Sequence, residues 1–401
     1  MSSPAPLNVT FVVPYFYPAW QYGGQPRSAY ELARGLVLNG HHVRVLTTDS
    51  GGDRRLDVKL YDRPGGIEVM YYRNISNRLA FRQRVFIPPR FYRQVSGEVA
   101  GCDLLHIHEL RSTLTVPAYN AARKLSKPFV VSPHGGLQHL GKAALKSVFD
   151  GLWGRRVLRD ASALAAVSPT EQRDALSFGV KSDRIALLPN AIDTDPYSVL
   201  PEPGAFRKRL RLDADDRFIL FLGRLNWVKG ADLLLRAFAK PAGDRRNIKL
   251  LVAGNDDGQE SELRRLASNL NLASSVVFTG FLDQESKLEA LVDSEVLVIP
   301  SRSEVFAITA LEGLLCGTPV LISSVCGLYP LPGSDCGVHQ FLVGDVDALS
   351  SKLEYLLGKD PPRFSKEAAL RYVQREFSPA AIAACAEQIY RKVLAESRGA
   401  A

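Results

Sequence analysis

Residues 295–319 read EVLVIPSRSEVFAITALEGLLCGTP, and their local signals give a strand, a loop and a helix in that order. EVLVIP is a short β-branched apolar run of the kind that forms a strand buried in a parallel sheet. The apolar run after the loop suits a helix, which Gly317 and Pro319 close. Its first turn, expected near Val305 to Ile308, leaves N–H groups without intrahelical partners and a partial positive charge facing the loop. That is a setting for phosphate. Two carboxylates flank the turn, Glu304 and Glu312. Eight residues at ~100° each would leave them about 80° apart on one continuous helix, so the simpler reading puts Glu304 in the loop and Glu312 within the helix. Taken alone they have two readings, a helix cap with a solvated neighbour or a pair that holds hydroxyls beside a phosphate. The rest of the chain favours the second.

The same alternation extends outward in both directions. Upstream come RFILFLGRL, a helix from Gly230, NIKLLVAG, a helix from Gln259, VVFTGF and a helix from Asp283; downstream comes PVLISS. An earlier series holds NVTFVV, a helix in RSAYELARGLVLNG, HHVRVLTT, IEVMYY, DLLHIH, PFVVSPH, ASALAAVS and IALLPNAI. Strands alternating with amphipathic helices predict a parallel sheet covered on both faces. The alternation breaks between Asp193 and Asp216, where prolines and a short basic helix read as a linker. The fold expected is therefore α/β, with two doubly wound Rossmann-like domains, residues 1–196 and 197–378, facing across a cleft at the carboxyl ends of their strands. Residues 379–401 form a last helix that is free to cross back to the first domain.

The totals agree with this. A chain of 401 residues exceeds one comfortable core. With 46% hydrophobic and 23% charged residues the composition is globular, and no apolar run approaches the ~20 residues of a membrane span. Five cysteines without a C-x-x-C pair suggest reduced thiols and a cytoplasmic protein. A net charge of +8 favours anionic partners.

Candidate chemistry gathers at strand ends. Arg224 and Lys229, in GRLNWVKG, follow a strand and are placed to neutralise a diphosphate. His134 follows PFVVSP and precedes two glycines that let a ligand approach. His106 and His108 fall on one face of a strand as a pair of metal ligands, but no third ligand is evident nearby. Asp256 and Asp257 are adjacent and read as a loop or helix cap, so no D-x-D is available for a metal. Residues 73–93, RNISNRLAFRQRVFIPPRFYR, hold six arginines, interleaved aromatics and no acid. They read either as a solvated loop or as a surface for anionic membrane or a lipid diphosphate; no nucleic-acid motif accompanies them.

These motifs, over nearly the full length, resemble the retaining glycosyltransferases of the GT-B fold, family 4 type (glycosyltransferase group 1). The resemblance implies that Glu304 binds sugar hydroxyls near the reacting carbon and Glu312 the ribose, that Arg224 and Lys229 grip the diphosphate, and that Phe306, Ala307 and Ile308 lie at the phosphate. It places Leu282, in FTGFL, near the base, Gly24 in the acceptor-side loop, and His134 against the sugar. VSPTE and LPNAID follow the family's spacing as well. The implied donor is a UDP- or GDP-sugar, the acceptor a carbohydrate or lipid-linked hydroxyl in polysaccharide, glycolipid or glycoconjugate assembly. Without a D-x-D no cofactor or metal is expected to be required, and the location expected is cytoplasmic, peripheral at the inner membrane face on the reading in which residues 73–93 meet anionic lipid.

Two features depart from the family pattern: Ala307 stands where a glycine is usual, and SVCGLYPLPGSDCG replaces a glycine-rich segment. Three other readings compete. A sugar phosphorylase or nucleotide-sugar epimerase of the same fold would use phosphate or water in place of the acceptor. A nicotinamide dehydrogenase would need G-x-G-x-x-G after the first strand, which is absent. A sugar-nucleotide-binding protein without catalysis would explain Ala307 but not the intact carboxylates and cations.

Overall fold

The structure is a computed structural model, and it describes residues 5–138, 143–212, 216–240 and 247–399. The chain divides into two compact units, one of Met1–Asp193 with Phe377–Ala401 and one of Thr194–Glu376.

In the first unit the strands are β1 (Asn8–Val12), β2 (His42–Thr48), β3 (Tyr61–Asp62), β4 (Glu68–Tyr72), β5 (Leu104–His108), β6 (Phe129–Ser132), β7 (Ala163–Ala166) and β8 (Ile185–Leu187). They form one sheet in the order β8-β7-β6-β5-β1-β2-β4-β3, parallel except for the short β3. Consecutive strands leave β1 in one direction and, from β5 onward, in the other. The crevice between β1 and β5 is thus the point where a doubly wound sheet binds ligands. The helices are α1 (Gly24–Leu38), α2 (Asn77–Gln83), α3 (Pro89–Ala100), α4 (Thr115–Lys124), α5 (Ala143–Phe149), α6 (Arg155–Asp160) and α7 (Pro169–Ser177). Helix α1 begins at Gly24, three residues before the expected start at Arg27. Pro26 falls in its first turn, where a missing N–H costs nothing, so the proline helps to start the helix.

The second unit holds α8 (Ala205–Leu210), β9 (Arg217–Leu222), α9 (Ala231–Phe238), β10 (Ile248–Ala253), α10 (Glu260–Asn269), β11 (Val276–Gly280), α11 (Gln284–Asp293), β12 (Val296–Ile299), α12 (Ile308–Cys316), β13 (Val320–Ser323), β14 (Val338–Phe341), α13 (Val346–Leu357) and most of α14 (Lys366–Phe377). Its parallel sheet runs β11-β10-β9-β12-β13-β14. Here too the order reverses once, between β9 and β12. The loop of residues 300–307 and the GRLNWVKG loop leave these two adjacent strands, whose pairing aligns Ile219 with Val296. All four residues of β12 are buried, and each such aliphatic side chain contributes roughly 1.5–3 kcal/mol.

The expected linker is more ordered than its prolines suggest. Asp293, at the end of α11, accepts hydrogen bonds from the backbone N–H of Gly204, Phe206 and Arg207 at 2.5, 2.8 and 3.1 Å. This carboxylate caps α8 from outside its own helix, and Phe206 is buried beneath it.

Helix α15 (Pro379–Gly399) belongs to the first unit and packs on α1. Gly35 makes that crossing tight, since a Cβ there would lie 2.3 Å from the Pro379 carbonyl oxygen. All five cysteines are free thiols, and burial pushes Cys316 and Cys326 up to about 12. Among the described residues no helix is long and apolar enough to cross a membrane.

Candidate active site

In the second unit the switch point between β9 and β12 gathers most of the expected residues. Lys229 ends a short 3-10 turn capped by Asn226, whose side chain accepts from the Lys229 N–H at 3.1 Å. Its ammonium is ion-paired with the Glu304 carboxylate. Gly230 allows this approach: it adopts φ +71°, and a Cβ there would sit 2.2 Å from the Pro300 carbonyl oxygen. Arg302, which sequence reasoning passed over, ties the same two loops together. Its guanidinium meets Asp232 at 2.7 and 2.6 Å, donates to the Trp227 carbonyl at 2.8 Å and lies 4.7 Å over the Trp227 ring. Only the fold brings Arg302 to Asp232, so no local pattern could have flagged it.

Arg224 points elsewhere. Its Nη1 donates to Asp257 at 3.0 Å, and the Asn226 amide reaches the same carboxylate oxygen at 2.9 Å. Asp256 caps α10, accepting from the N–H groups of Gly258, Gln259 and Glu260, and these bonds hold its carboxyl below the usual carboxylate range.

Glu312 lies inside α12 and Glu304 in the loop before it, the simpler of the two readings. The Glu312 Oε1 atom accepts from Lys287 Nζ at 2.6 Å and Tyr197 Oη at 3.0 Å. Lys287 and Tyr197 are partners that sequence spacing did not reveal. Lys287 comes from α11, the helix packed beside α12. The α12 N-terminus has no side-chain cap. Phe306 and Ala307 are buried at this end, with Ile308 as the first helical residue. Ala307 has φ −89°, a conformation that any residue adopts, so the departure from glycine carries no backbone strain. The other departure supports the site directly. Gly327 N–H donates to the Glu304 carbonyl at 3.0 Å, and Cys326 bridges to Glu304. Leu282 is half-buried between the end of β11 and the Asp283 cap of α11.

In the first unit Gly24 opens α1 behind Gly23, whose φ is +97°. His134 follows β6 with φ +49°. Its Nε2 lies 2.9 Å from His108 Nδ1, and the two rings stack at 5.2 Å. His108 in turn stacks on His106 at 4.1 Å. The sequence left this pair without a third neighbour, and the fold supplies His134. Both ring nitrogens of His106 are already engaged, by Tyr390 Oη at 2.7 Å and Ser132 Oγ at 2.8 Å. Among the described residues no group of three or more His, Cys, Asp or Glu is placed to hold a metal ion. The His134 turn is held by Glu171 of the VSPTE motif, a fully buried residue that accepts from Gly135 N–H at 2.5 Å and Val167 N–H at 2.9 Å.

Burial pushes His134 down to about 4 and His106 to about 3, and it also lowers His108 well below the usual range. All three are neutral at pH 7. An unfolded histidine takes up its proton near pH ~6.5, so the unfolded chain gains protons first as pH falls. The stability present above pH ~6.5 is lost on the way down to pH 4. Burial raises Glu171 to about 7; its contribution has the opposite sign and is lost as pH rises through 7. Burial raises Glu109 as well, so three imidazoles stand against two carboxyls; the urea midpoint should be lower at pH 5 than at pH 7.5, and equal midpoints would contradict neutral buried imidazoles.

The aromatics of residues 73–93 divide: Tyr92 is 39% exposed and Phe81 half-buried, while the others face inward. Phe86 and Phe91 are fully buried, and Arg84 lies over the rings of Tyr15 and Tyr22 at 5.3 and 4.7 Å.

Two doubly wound units, one with cations and carboxylates at its switch point, define the class as α/β with Rossmann-like sheets, and comparison with known proteins is more specific. The family described as Glycosyl transferases group 1 matches residues 204–371, and Glycosyltransferase Family 4 matches residues 22–196. An uncharacterised glycosyltransferase of Methanocaldococcus jannaschii is 29% identical over 80% of this chain and 81% of its own. A D-inositol 3-phosphate glycosyltransferase of Xylanimonas cellulosilytica is 26% identical over 92% of this chain and 91% of its own. Among solved structures, HepE of Anabaena in complex with UDP and glucose superposes with a TM-score of 0.72 at 18% identity, covering 97% of this chain and all of the other. Sucrose-phosphate synthase of Thermosynechococcus elongatus gives 0.73 at 23% identity, with the same coverage. The chain belongs to the GT-B glycosyltransferases of group 1, family 4 type.

Proposed function

We propose that this glycosyltransferase moves a hexose from a nucleoside diphosphate sugar to a hydroxyl of a carbohydrate or lipid-linked acceptor, with retained configuration and without a metal. One observation carries the reading: the Lys229–Glu304 pair at the switch point, beside the uncapped N-terminus of α12. A bound diphosphate competes with Glu304 for the Lys229 ammonium and lies against the uncapped, partially positive N-terminus of α12. Glu304, released, faces the sugar hydroxyls and the carbon on which positive charge develops. Lys229 and the helix end then stabilise the departing diphosphate by fixed charge, the role that a divalent ion would otherwise fill, and Arg224, exposed and paired with Asp257 at rest, joins them by leaving that carboxylate. Glu312, positioned by Lys287 and Tyr197, accepts from the ribose hydroxyls, and Leu282 lies by the base.

Within the first unit, His134 is the residue assigned to a sugar hydroxyl and Gly24 the one that leaves room for the acceptor. The HepE complex, which holds UDP and glucose, supports a uridine donor, with GDP-sugars as the alternative. The acceptor is proposed to belong to polysaccharide or glycoconjugate assembly at the inner face of a membrane. The exposed Arg73, Arg78, Arg90 and Arg93 suit anionic headgroups there.

A thermal-shift screen of nucleotide sugars should find one stabilising donor. Turnover of that donor should require a hydroxyl acceptor, give a product with the donor's anomeric configuration by proton NMR, and persist in excess chelator. An inverted product, or activity that chelator abolishes, would overturn the corresponding part of this reading.

A further inference from the structure

From Ala143 to Asp160 the chain runs through α5, a π-helical turn (Asp150–Gly154) and α6, and its two sides differ in chemistry. On the inner side Asp150, Gly154, Val157 and Leu158 are buried. Arg111 holds Asp150 there through Nε at 2.9 Å and Nη2 at 2.6 Å. On the outer side Leu145, Val148, Leu152 and Trp153 are 64%, 58%, 50% and 41% exposed. Their spacing, i, i+3, i+7 and i+8, makes one stripe on a helix. Phe149 fills the i+4 position, its ring 5.8 Å from that of Trp153. Arg156 and Arg159 continue the stripe one turn further, with Arg155 beside them, and all three are exposed. Asp150 is the one acid between residues 143 and 159, and Arg111 neutralises it inside the fold.

A contiguous exposed stripe of large apolar side chains marks an interaction surface. A tryptophan within it and arginines at its end match a helix that lies in a lipid interface. A second copy of this chain on the same stripe would oppose like arginines across a two-fold axis, whereas anionic headgroups would meet them with opposite charge. The loop after β5 links this segment to the arginine-rich stretch, because Arg111 holds Asp150 while Thr113 Oγ1 donates to the Phe86 carbonyl. That stretch keeps Phe86 and Phe91 in the core and exposes its arginines with only two scattered large apolar side chains, Ile75 and Tyr92.

We propose that Leu145, Val148, Leu152 and Trp153 insert into the headgroup layer of an anionic lipid bilayer, with Arg155, Arg156 and Arg159 against its phosphates. The inference does not depend on the donor chemistry assigned above.

The full chain is tested against phosphatidylcholine vesicles with and without about 30% phosphatidylglycerol. The wild type should co-sediment with the anionic vesicles, and its tryptophan emission should shift to the blue. The double variant Leu152→Ser/Trp153→Ser should lose at least about 10-fold in partitioning, as should Arg155→Gln/Arg156→Gln/Arg159→Gln. Because these side chains are exposed, melting temperature and nucleotide binding should stay unchanged, which separates lost membrane contact from lost fold or donor site. Two results would overturn the proposal. One is wild-type binding by the stripe variant while Arg73→Gln/Arg78→Gln/Arg90→Gln/Arg93→Gln abolishes it. The other is a lipid-free dimer that the stripe variant converts to monomer, with no vesicle binding by the wild type.

Discussion

Glu304→Gln is expected to lower kcat about 100- to 1000-fold, on the order of 3–4 kcal/mol of transition-state stabilisation, while UDP affinity stays within about threefold. The asymmetry follows from the resting pair. Glu304 occupies the Lys229 ammonium before donor arrives, so a neutral amide leaves Lys229 at least as available to the diphosphate. In the proposed role of Glu304, what disappears is the negative charge beside the carbon that becomes positive in the transition state. Glutamine preserves volume, and Gly327 still donates to the backbone carbonyl of residue 304, so the loop should hold its course. Steady-state kinetics with the best donor, paired with calorimetric titration of UDP, measure the two quantities separately. A tenfold loss of UDP affinity with kcat intact would reverse the assigned role.

Glu312→Ala should have the opposite profile, with donor affinity falling about 10- to 100-fold and kcat at saturation changing by less than about threefold. Stability should fall as well. Lys287 and Glu312 are 15% and 14% exposed and meet at 2.6 Å, so removing the carboxylate strands a largely buried ammonium at a cost of about 2–3 kcal/mol. The companion variant Glu312→Ala/Lys287→Met should recover most of that stability without recovering affinity. Melting temperature and UDP titration on both variants decide the matter. If affinity returned together with stability, Glu312 would be a structural partner of Lys287 and nothing more.

The strands were the legible part of the fold. Runs such as FILFLG and EVLVIP are buried on both faces, and a near-continuous apolar run is how such a strand is written. Glu304, Glu312, Arg224, Lys229 and His134 were legible because each stands at a fixed offset from a strand or a glycine. Their partners were not. Lys287, Tyr197 and Asp257 come from neighbouring helices and loops, and strand order rather than spacing brings them in. His108 was visible as half of a pair with His106; its contact with His134 depends on β5 and β6 lying side by side. Which way the phenylalanines of residues 73–93 turn was not legible, for a related reason. Aromatic content among arginines does not tell which way each ring turns, and here the buried sheet and α4 leave room for Phe86 and Phe91.

Helix α15 places a constraint on how the chain is made. It completes the first unit, with Tyr390 fully buried against His106 and Pro379 resting on Gly35, yet the ribosome reaches it only after all of the second unit. The first unit therefore waits, with the underside of its histidine stack unfilled, while its neighbour is already able to fold. Domains made in order fold in order; in this protein the unit begun first is the one finished last. The histidine beside the proposed sugar site becomes fully supported only once the second unit has been made.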